Sequence, residues 1–443
     1  MINTAEVYLW GTRIGYIHQG DDNAAASFEY DKKFLRSGIE LSPFKMPLSD
    51  RIYSFPELSR VEAFHGIPGL FADSLPDKFG NAVIDKWLAG QGRSPETFTA
   101  IERLCYTGKR GMGALEYVPA TSPEFINSEI DVTEMTKLAS EVLSGKESAV
   151  LSDKEASIMQ LLEIGSSAGG ARAKAIVAWN EKTGEVKSGQ VDAGKGFDYW
   201  LIKFDGVSGN GDHNLADKKQ YSLIEYAYYL MAVDLGIEMS ECRIYEKDGL
   251  HHFMTKRFDR VNGDKVHMQT LAALGHFDYN TPNVCSYELY TDYAKRLGIG
   301  KSGVEQIFRR MAFAVLGGNC DDHVKNFSFL MNRKGEWRLS PAYDLTFAYN
   351  PDNRWISKHQ MSINGKTSGI TSDDLIASGK SMGLTVEFCR NAISETESVV
   401  SDWLSYAVKC GITEERAVEI QKGIKLSDNR NDGRSEIASQ SKD

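Results

Sequence analysis

The stretch Asn319-Cys320-Asp321-Asp322-His323-Val324-Lys325-Asn326, then Phe327-Ser328-Phe329-Leu330-Met331, Asn332-Arg333-Lys334-Gly335, Glu336-Trp337-Arg338-Leu339 and Ser340-Pro341-Ala342-Tyr343-Asp344, decides how the rest of the chain is read. A polar loop carries an aspartate and, five residues on, an asparagine. Two short apolar runs then flank a turn of Asn, Arg, Lys and Gly, the pattern of a β-hairpin. A second aspartate follows the hairpin. Phosphoryl transfer needs a carboxylate to position the attacking hydroxyl, and a neutral amide oxygen plus a second carboxylate to hold Mg2+. Asp321, Asn326 and Asp344 supply these groups in that order. Asp321 and Asp322 are adjacent, so at most one should face a reacting hydroxyl, and the spacing to Asn326 selects Asp321. His323 and Lys325 would lie where developing charge can be neutralised. A merely solvated loop would share the residue types but would not require the hairpin and the closing aspartate.

Working upstream, Gly165-Ser166-Ser167-Ala168-Gly169-Gly170-Ala171-Arg172-Ala173-Lys174 leads into the apolar run Ala175-Ile176-Val177-Ala178-Trp179. Small residues let backbone N–H groups approach a phosphate, and Arg172 and Lys174 add positive charge. The spacing is not that of a P-loop, and a plain flexible turn has a similar composition. Lys203 interrupts a second apolar run, Tyr199-Trp200-Leu201-Ile202-Lys203-Phe204. Strand alternation by itself would put this lysine on a solvent face. After a glycine-rich loop and a strand, it instead suits the lysine that contacts nucleotide phosphates. Glu225, in the next helical run, is a candidate partner. His251 and His252 are neighbours on a strand and therefore point to opposite faces, which argues against a shared metal.

Composition narrows the class. With 443 residues there is room for two or three domains, and 42% hydrophobic with 25% charged residues is ordinary for a soluble globular protein. The formal charge of −10 argues against a free-standing nucleic-acid binder, which usually presents a basic face. The N-terminus lacks the basic start and apolar run of a signal peptide. There is no uncharged apolar stretch of about eighteen residues, so no membrane span is expected. Cys105, Cys242, Cys285, Cys320, Cys389 and Cys410 are irregularly spaced with no C-x-x-C pair, which fits reduced thiols in a cytoplasmic protein.

Periodicity predicts strands over 6–10, 14–17 and 28–30. A helix is expected over 75–90 on Leu75, Phe79, Val83, Ile84 and Leu88, with Pro76 near its start. Further strands are expected over 175–179, 199–204 and 252–258. A helix over 221–235 places Ile224, Ala227, Tyr228, Met231 and Leu235 on one face. From about 265 the pattern is mostly helical, with one hairpin at 327–339. The implied organisation is a small α+β part over 1–120, a strand-rich nucleotide-binding part over 121–260, a helical part with the catalytic loop over 261–427, and a disordered tail over 428–443.

Together these segments resemble the HipA family of bacterial serine/threonine kinases, the toxin component of HipB–HipA-type toxin–antitoxin pairs. The resemblance runs over nearly the whole chain. It is carried by Ile67-Pro68-Gly69-Leu70-Phe71-Ala72-Asp73-Ser74-Leu75-Pro76-Asp77, Arg110-Gly111-Met112-Gly113-Ala114-Leu115-Glu116-Tyr117, the Ser-Ala-Gly-Gly-Ala-Arg loop and Thr255-Lys256-Arg257-Phe258-Asp259-Arg260. Its most specific parts are the Asn-x-Asp-x-His-x-Lys-Asn loop and Leu339-Ser340-Pro341-Ala342-Tyr343-Asp344-Leu345. The resemblance implies an α+β, protein-kinase-like two-lobed fold. It implies that Asp321 is the catalytic base, that Asn326 and Asp344 are Mg2+ ligands, and that Lys203 contacts ATP. Gly169, Gly170, Ala171, Arg172, Ala173 and Lys174 would form the nucleotide loop. Lys256, Arg257 and Phe258 would form the hinge beside adenine, and His323, Val324, Lys325, Asn326 and Tyr343 would add further nucleotide contacts. Family members can autophosphorylate a loop serine and switch themselves off; seven residues before Lys174 stands Ser167, with Ser166 as the alternative. A phosphate there would add about −1.5 to −2 charges where ATP phosphates must sit. Some relatives carry Glu at the position of Lys256, so the adenine contact there would come from the backbone. Relative to eukaryotic protein kinases, Asn319-Cys320-Asp321 and Tyr343-Asp344-Leu345 replace the usual His-Arg-Asp and Asp-Phe-Gly triplets.

The resulting expectation is an ATP- and Mg2+-dependent serine/threonine protein kinase, acting on a cellular protein such as an aminoacyl-tRNA synthetase. Its partner would be a HipB-like helix-turn-helix antitoxin through which it reaches DNA indirectly. Two alternatives share the same residues: a small-molecule phosphotransferase on a kinase-like fold, and an ATP-binding corepressor partner of a DNA-binding antitoxin.

Overall fold

The computed structural model describes residues 2–20, 25–122, 129–144, 161–162, 172–190, 192–207, 220–261 and 263–424. Ser166, Ser167, Gly169, Gly170, Ala171 and the tail over 428–443 lie outside the described residues.

Strand alternation builds the first sheet. In β1 (Thr4–Leu9) the side chains of Ala5, Val7 and Leu9 are buried while their neighbours are not. With β2 (Thr12–His18), β3 (Ser27–Tyr30), β4 (Tyr53–Ser54) and β5 (Leu115–Val118) it forms an antiparallel sheet in the order β4-β3-β2-β1-β5. The second sheet contains β6 (Lys174–Trp179), β7 (Val186–Ser188), β8 (Asp198–Lys203), β9 (Cys242–Lys247) and β10 (Leu250–Lys256), in the order β7-β6-β8-β10-β9.

One face of this second sheet, with Ala175, Val177, Trp200, Ile202 and Met254, packs against two helices. The helix Val132–Ser144 contributes Met135 and Leu138. The helix Lys78–Gly90 contributes Phe79, Val83, Ile84 and Leu88, the spacing of one helical face. Its start is fixed by Asp77, whose Oδ1 accepts from the Gly80 amide at 2.6 Å. A helix from the N-terminal segment is thus built into the core of the strand-rich lobe.

The opposite side of the sheet meets the helix Tyr221–Asp234, which packs on β9 and β10. That helix buries Ile224, Ala227, Tyr228 and Met231 against Trp403 and Ala407 of the helix Trp403–Lys409 and Ile420 of the helix Glu414–Gln421. The C-terminal lobe is helical, with Tyr287–Arg296, Lys301–Leu316, Ser372–Ser381 and Val386–Ser401 packed around Tyr290, Ile307, Phe308, Met311 and Cys389.

After a short ribbon of β11 (Arg260–Val261) and β12 (Asp264–Lys265), β13 (His267–Thr270) pairs with β14 (Ser328–Met331), which pairs with β15 (Trp337–Leu339). The expected hairpin is therefore two strands of a three-stranded sheet. The extra strand gives no apolar alternation because its buried residues include the polar His267 and Gln269. A strand-rich lobe followed by a helix-rich lobe is the two-lobed, kinase-like arrangement expected of the chain. Among the described residues, no helix is long and apolar enough to cross a membrane, and all six cysteines are free thiols.

Candidate active site

A cleft of about 1810 Å3 separates the lobes, and Asp321, Asn326, Asp344, Lys203 and Lys174 all line it. Lys203 is the last residue of β8, in register with Lys174 on β6 and Phe253 on β10. Alternation does turn it away from Trp200 and Ile202, but the face it shares with Leu201 is the wall of the cleft, not open solvent. Its side chain is only 12% exposed, so its charge needs partners. They are Glu225 Oε1, at 2.6 Å, and Asp344 Oδ1. Glu225 is held on the first turns of the helix Tyr221–Asp234.

Asp344 adopts a left-handed conformation with φ of 53°, one that aspartate tolerates better than most residues. Burial works against the charge of all three groups. For Lys203 the two carboxylates outweigh burial and keep the ammonium protonated. For Asp344, Lys203 and Lys174 outweigh it and bring the carboxyl down to about 2. For Glu225 burial prevails and its carboxyl is pushed up, with Lys203 restraining the shift.

The loop before β14 presents Asp321 to this centre. The Asn326 side-chain amide donates from Nδ2 to the Asp321 carbonyl at 2.9 Å, so the asparagine closes the loop and its Oδ1 remains as an acceptor. Asp321 Oδ1 lies 3.9 Å from His323 Nε2. Lys325 Nζ sits 4.5 Å above the Tyr279 ring. Tyr343 donates to the Lys325 carbonyl at 2.8 Å, and its ring lies 5.8 Å from that of Phe258.

Two residues expected at the nucleotide keep their side chains out of the cleft. Val324 is 1% exposed in the C-lobe core, and Ala173 is fully buried under the second sheet, so neither side chain faces the cleft. Both are short and apolar, and burial is their cheapest location. Lys256 turns its ammonium to Asp198 at 2.8 Å. Arg257 is committed to Asp259 through two bonds, Nε to Oδ1 at 2.8 Å and Nη2 to Oδ2 at 2.7 Å. What these two can offer a ligand is backbone. Arg172 reaches the cleft with its guanidinium carbon 3.9 Å from the centre of the Tyr221 ring.

Asp322 is 3% exposed and points away from the cleft, leaving Asp321 as the carboxylate that faces it. His252 is fully buried, with Nδ1 accepting from the Asp205 amide at 3.0 Å. Two parts of the cleft wall lie outside the expected site residues. One comes from the N-terminal segment, including His65, Asp77 and Asn81; the other is the segment from Thr346 to Ile356. The helix over 75–90 was visible in sequence, but nothing local says that its start borders a cleft formed by residues more than a hundred positions away.

Comparison with known proteins places the chain among relatives. Residues 5–118 match the family model of the HipA N-terminal domain, and residues 166–403 match that of the HipA-like C-terminal domain. The chain is 31% identical over 145 residues to Y4dM of Sinorhizobium fredii, named as a candidate kinase, covering 29% of this chain and 35% of that protein. It is 26% identical over 159 residues to a protein of Haemophilus influenzae also named as a candidate kinase, covering 32% of this chain and 46% of that one. The chain thus spans less than half the length of these curated relatives. Among solved structures, HipA in the complex of HipA, HipB and operator DNA from Shewanella oneidensis superposes with a TM-score of 0.69 at 16% identity, covering 95% of both chains.

Proposed function

The chain belongs to the HipA family, and from that premise we propose that it is an ATP- and Mg2+-dependent serine/threonine protein kinase acting as a HipA-like toxin on a cellular protein. The observation that carries the reading is the Glu225–Lys203–Asp344 chain of ion pairs, which faces the same cleft as Asp321 and Asn326. The residues fit the cofactor by their chemistry. Magnesium prefers hard oxygen ligands, and Asn326 Oδ1 and the ionised Asp344 carboxylate are such donors. Bound there, Mg2+-ATP would supply the transferable phosphoryl group and the charge that offsets its oxygens.

The chain's own residues then have separate tasks. Lys203, aimed by Glu225, holds the phosphates by charge. Asp321 accepts the hydrogen bond of the acceptor hydroxyl and orients it, and His323 and Lys325 lie near the charge that develops. The backbone of Lys256 and Arg257 and the ring of Phe258 border the base. Ser167, or else Ser166, is the proposed site of self-inactivating autophosphorylation. An aminoacyl-tRNA synthetase is one class of target that fits a toxin role. The partner is a HipB-like helix-turn-helix antitoxin, in keeping with the composition of the Shewanella complex. A net charge of −10 is consistent with reaching DNA through that partner alone.

The test is Asp321→Asn in the full chain, with labelled ATP and mass spectrometry for phosphoserine. Transfer should fall by about 10^2-fold or more, as for loss of a positioned acid–base group, while ATP still binds. Transfer at the wild-type rate overturns the role of Asp321. A wild-type chain that binds ATP yet labels neither itself nor any lysate protein favours the corepressor alternative.

A further inference from the structure

Asp322, adjacent to the candidate base, takes no part in the reading above, yet it is one of the most heavily bonded side chains in the molecule. Its Oδ1 accepts from the Gln360 amide at 2.7 Å. Its Oδ2 accepts from the Tyr287 hydroxyl at 3.0 Å and lies 2.9 Å from His359 Nδ1. The Asp322 and His359 side chains are 2% and 1% exposed, so this is a fully desolvated ion pair. The Cys320 thiol is the other group facing the His359 ring.

The position of the pair is informative. The chain leaves Asp344 and runs from Leu345 to Gln360 along the cleft, where Tyr349, Arg354, Trp355 and Gln360 line the wall. The near end of this run is joined to the catalytic loop by backbone: Cys320 N donates to Ala348 O at 3.0 Å, and Ala348 N to Gly318 O at 3.1 Å. At the far end the catalytic loop is joined through the Asp322 side chain, and the His359 amide donates to the Thr367 carbonyl at 2.9 Å. Asp322 takes the Gln360 amide, while the Gln360 side chain reaches back to the Trp355 carbonyl and its own carbonyl accepts from Asn283 N at 2.7 Å. The loop that carries Asp321 is therefore gripped from both sides by the segment that walls the cleft.

We propose that Asp322 is a positioning residue: by binding Gln360 and His359 it pins the segment from Leu345 to Gln360 and so fixes the direction in which the catalytic loop presents Asp321. This rests on the kinase reading for its catalytic consequence but not for its structural one. A buried ion pair is a weak way to gain stability compared with an apolar pair of the same volume, and its best-attested use is to specify one arrangement. Tyr287 comes from one segment and His359 and Gln360 are neighbours on another, and a carboxylate at 322 accepts from all three at once.

The experiment compares Asp322→Ala and Asp322→Asn in the full chain. Three readouts are taken: hydrogen exchange of the amides in 345–360, ATP affinity, and autophosphorylation with labelled ATP. Alanine leaves all three donors without an acceptor; asparagine keeps one carbonyl oxygen and the shape. Expected for alanine are exchange over 345–360 faster by about tenfold or more, as for a segment that opens locally, and transfer slower by about tenfold or more, as for a misplaced catalytic group, with ATP affinity within about threefold. Asparagine should recover most of both losses. The proposal is overturned if alanine leaves exchange over 345–360 unchanged, or if ATP affinity falls as far as transfer does, which would mark a general loss of fold. Should the wild type transfer no phosphate, the kinase reading has failed, and the exchange comparison still decides the role of Asp322 in pinning the segment.

Discussion

Two histidines in this chain show how one residue type takes opposite charge states by placement. His267 is buried with no charged neighbour, and burial holds its ring down to about 3, so it stays neutral. His359 is equally buried; burial alone would lower it too, but the Asp322 carboxylate outweighs that and pushes the ring up to about 10. The sign of the linkage follows. The ordinary histidine value in an unfolded chain is about 6.5, and the folded value is higher. The stabilisation from the pair is therefore fully present below about pH 6.5 and is lost as pH rises through about 10. Replacing His359 with Gln leaves Asp322 as a buried carboxylate without its cation, a loss of about 3–5 kcal/mol at neutral pH. Urea unfolding of wild type and His359→Gln at pH 7 and pH 10.5 checks this: the gap between the two should narrow at the higher pH. A gap that stays constant would mean that the ring is neutral in the folded chain. Cys320 and Tyr287 face the same centre.

At the scale of elements, alternation and helical spacing made most of the strand-rich lobe legible. β1, β6, β8 and β10 stand within a residue or two of where their apolar runs put them, and the helix Tyr221–Asp234 buries the face its spacing marked. The candidate catalytic loop, the hairpin and Asp344 were legible because they are close in sequence. What could not be read was every relation made at long range. β13 buries the polar His267 and Gln269, so no apolar alternation marks it as a strand. The Asp322–His359 pair joins positions 37 residues apart with no local signal at His359. The spacing marked the helix Lys78–Gly90, expected over 75–90, but not the core it would enter. That last case makes a prediction. Ile84 is fully buried in the core shared with β6 and β8, so Ile84→Ala should cost about 2–5 kcal/mol, the range for truncating a large core side chain. Urea denaturation measures the loss. Hydrogen exchange should locate it in β6 and β8; exchange raised only in β1 to β5 would show that the helix belongs to the first sheet instead.

Across the whole molecule, one buried carboxylate helps to join the N-terminal sheet to the cleft. Asp259 follows the candidate hinge residue Phe258 and is fully buried. It accepts from Arg257 through two bonds, from Arg260 Nη1 at 2.7 Å and from the Gly113 amide at 2.7 Å. Burial opposes its charge, but Arg257 and Arg260 outweigh that and hold the carboxyl well below its usual range. Arg260 also donates to the carbonyls of Gly111 and Gly113, at 2.9 and 3.0 Å. Gly113 has φ of 75°, and a side chain there would come within 3.0 Å of the Met268 backbone, so glycine permits the close approach that these bonds need. The turn before β5 is thereby bolted to the strand that ends at the hinge. Lys265 makes a parallel joint, pairing with Glu116 at 2.7 Å and accepting at its carbonyl from Trp10 Nε1 at 2.8 Å. Asp259→Asn keeps the shape but leaves two buried guanidiniums with no anion between them. The expected cost is about 3–5 kcal/mol, the range for breaking one partner out of a buried pair. Because Phe258 borders the cleft next to this joint, ATP affinity should fall as well, even though Asp259 does not line the cleft. Chemical denaturation and ATP titration on the same variant check both parts. A variant that loses stability but binds ATP as tightly as wild type would show that the hinge keeps its shape without the N-terminal sheet, and that the joint serves the fold alone.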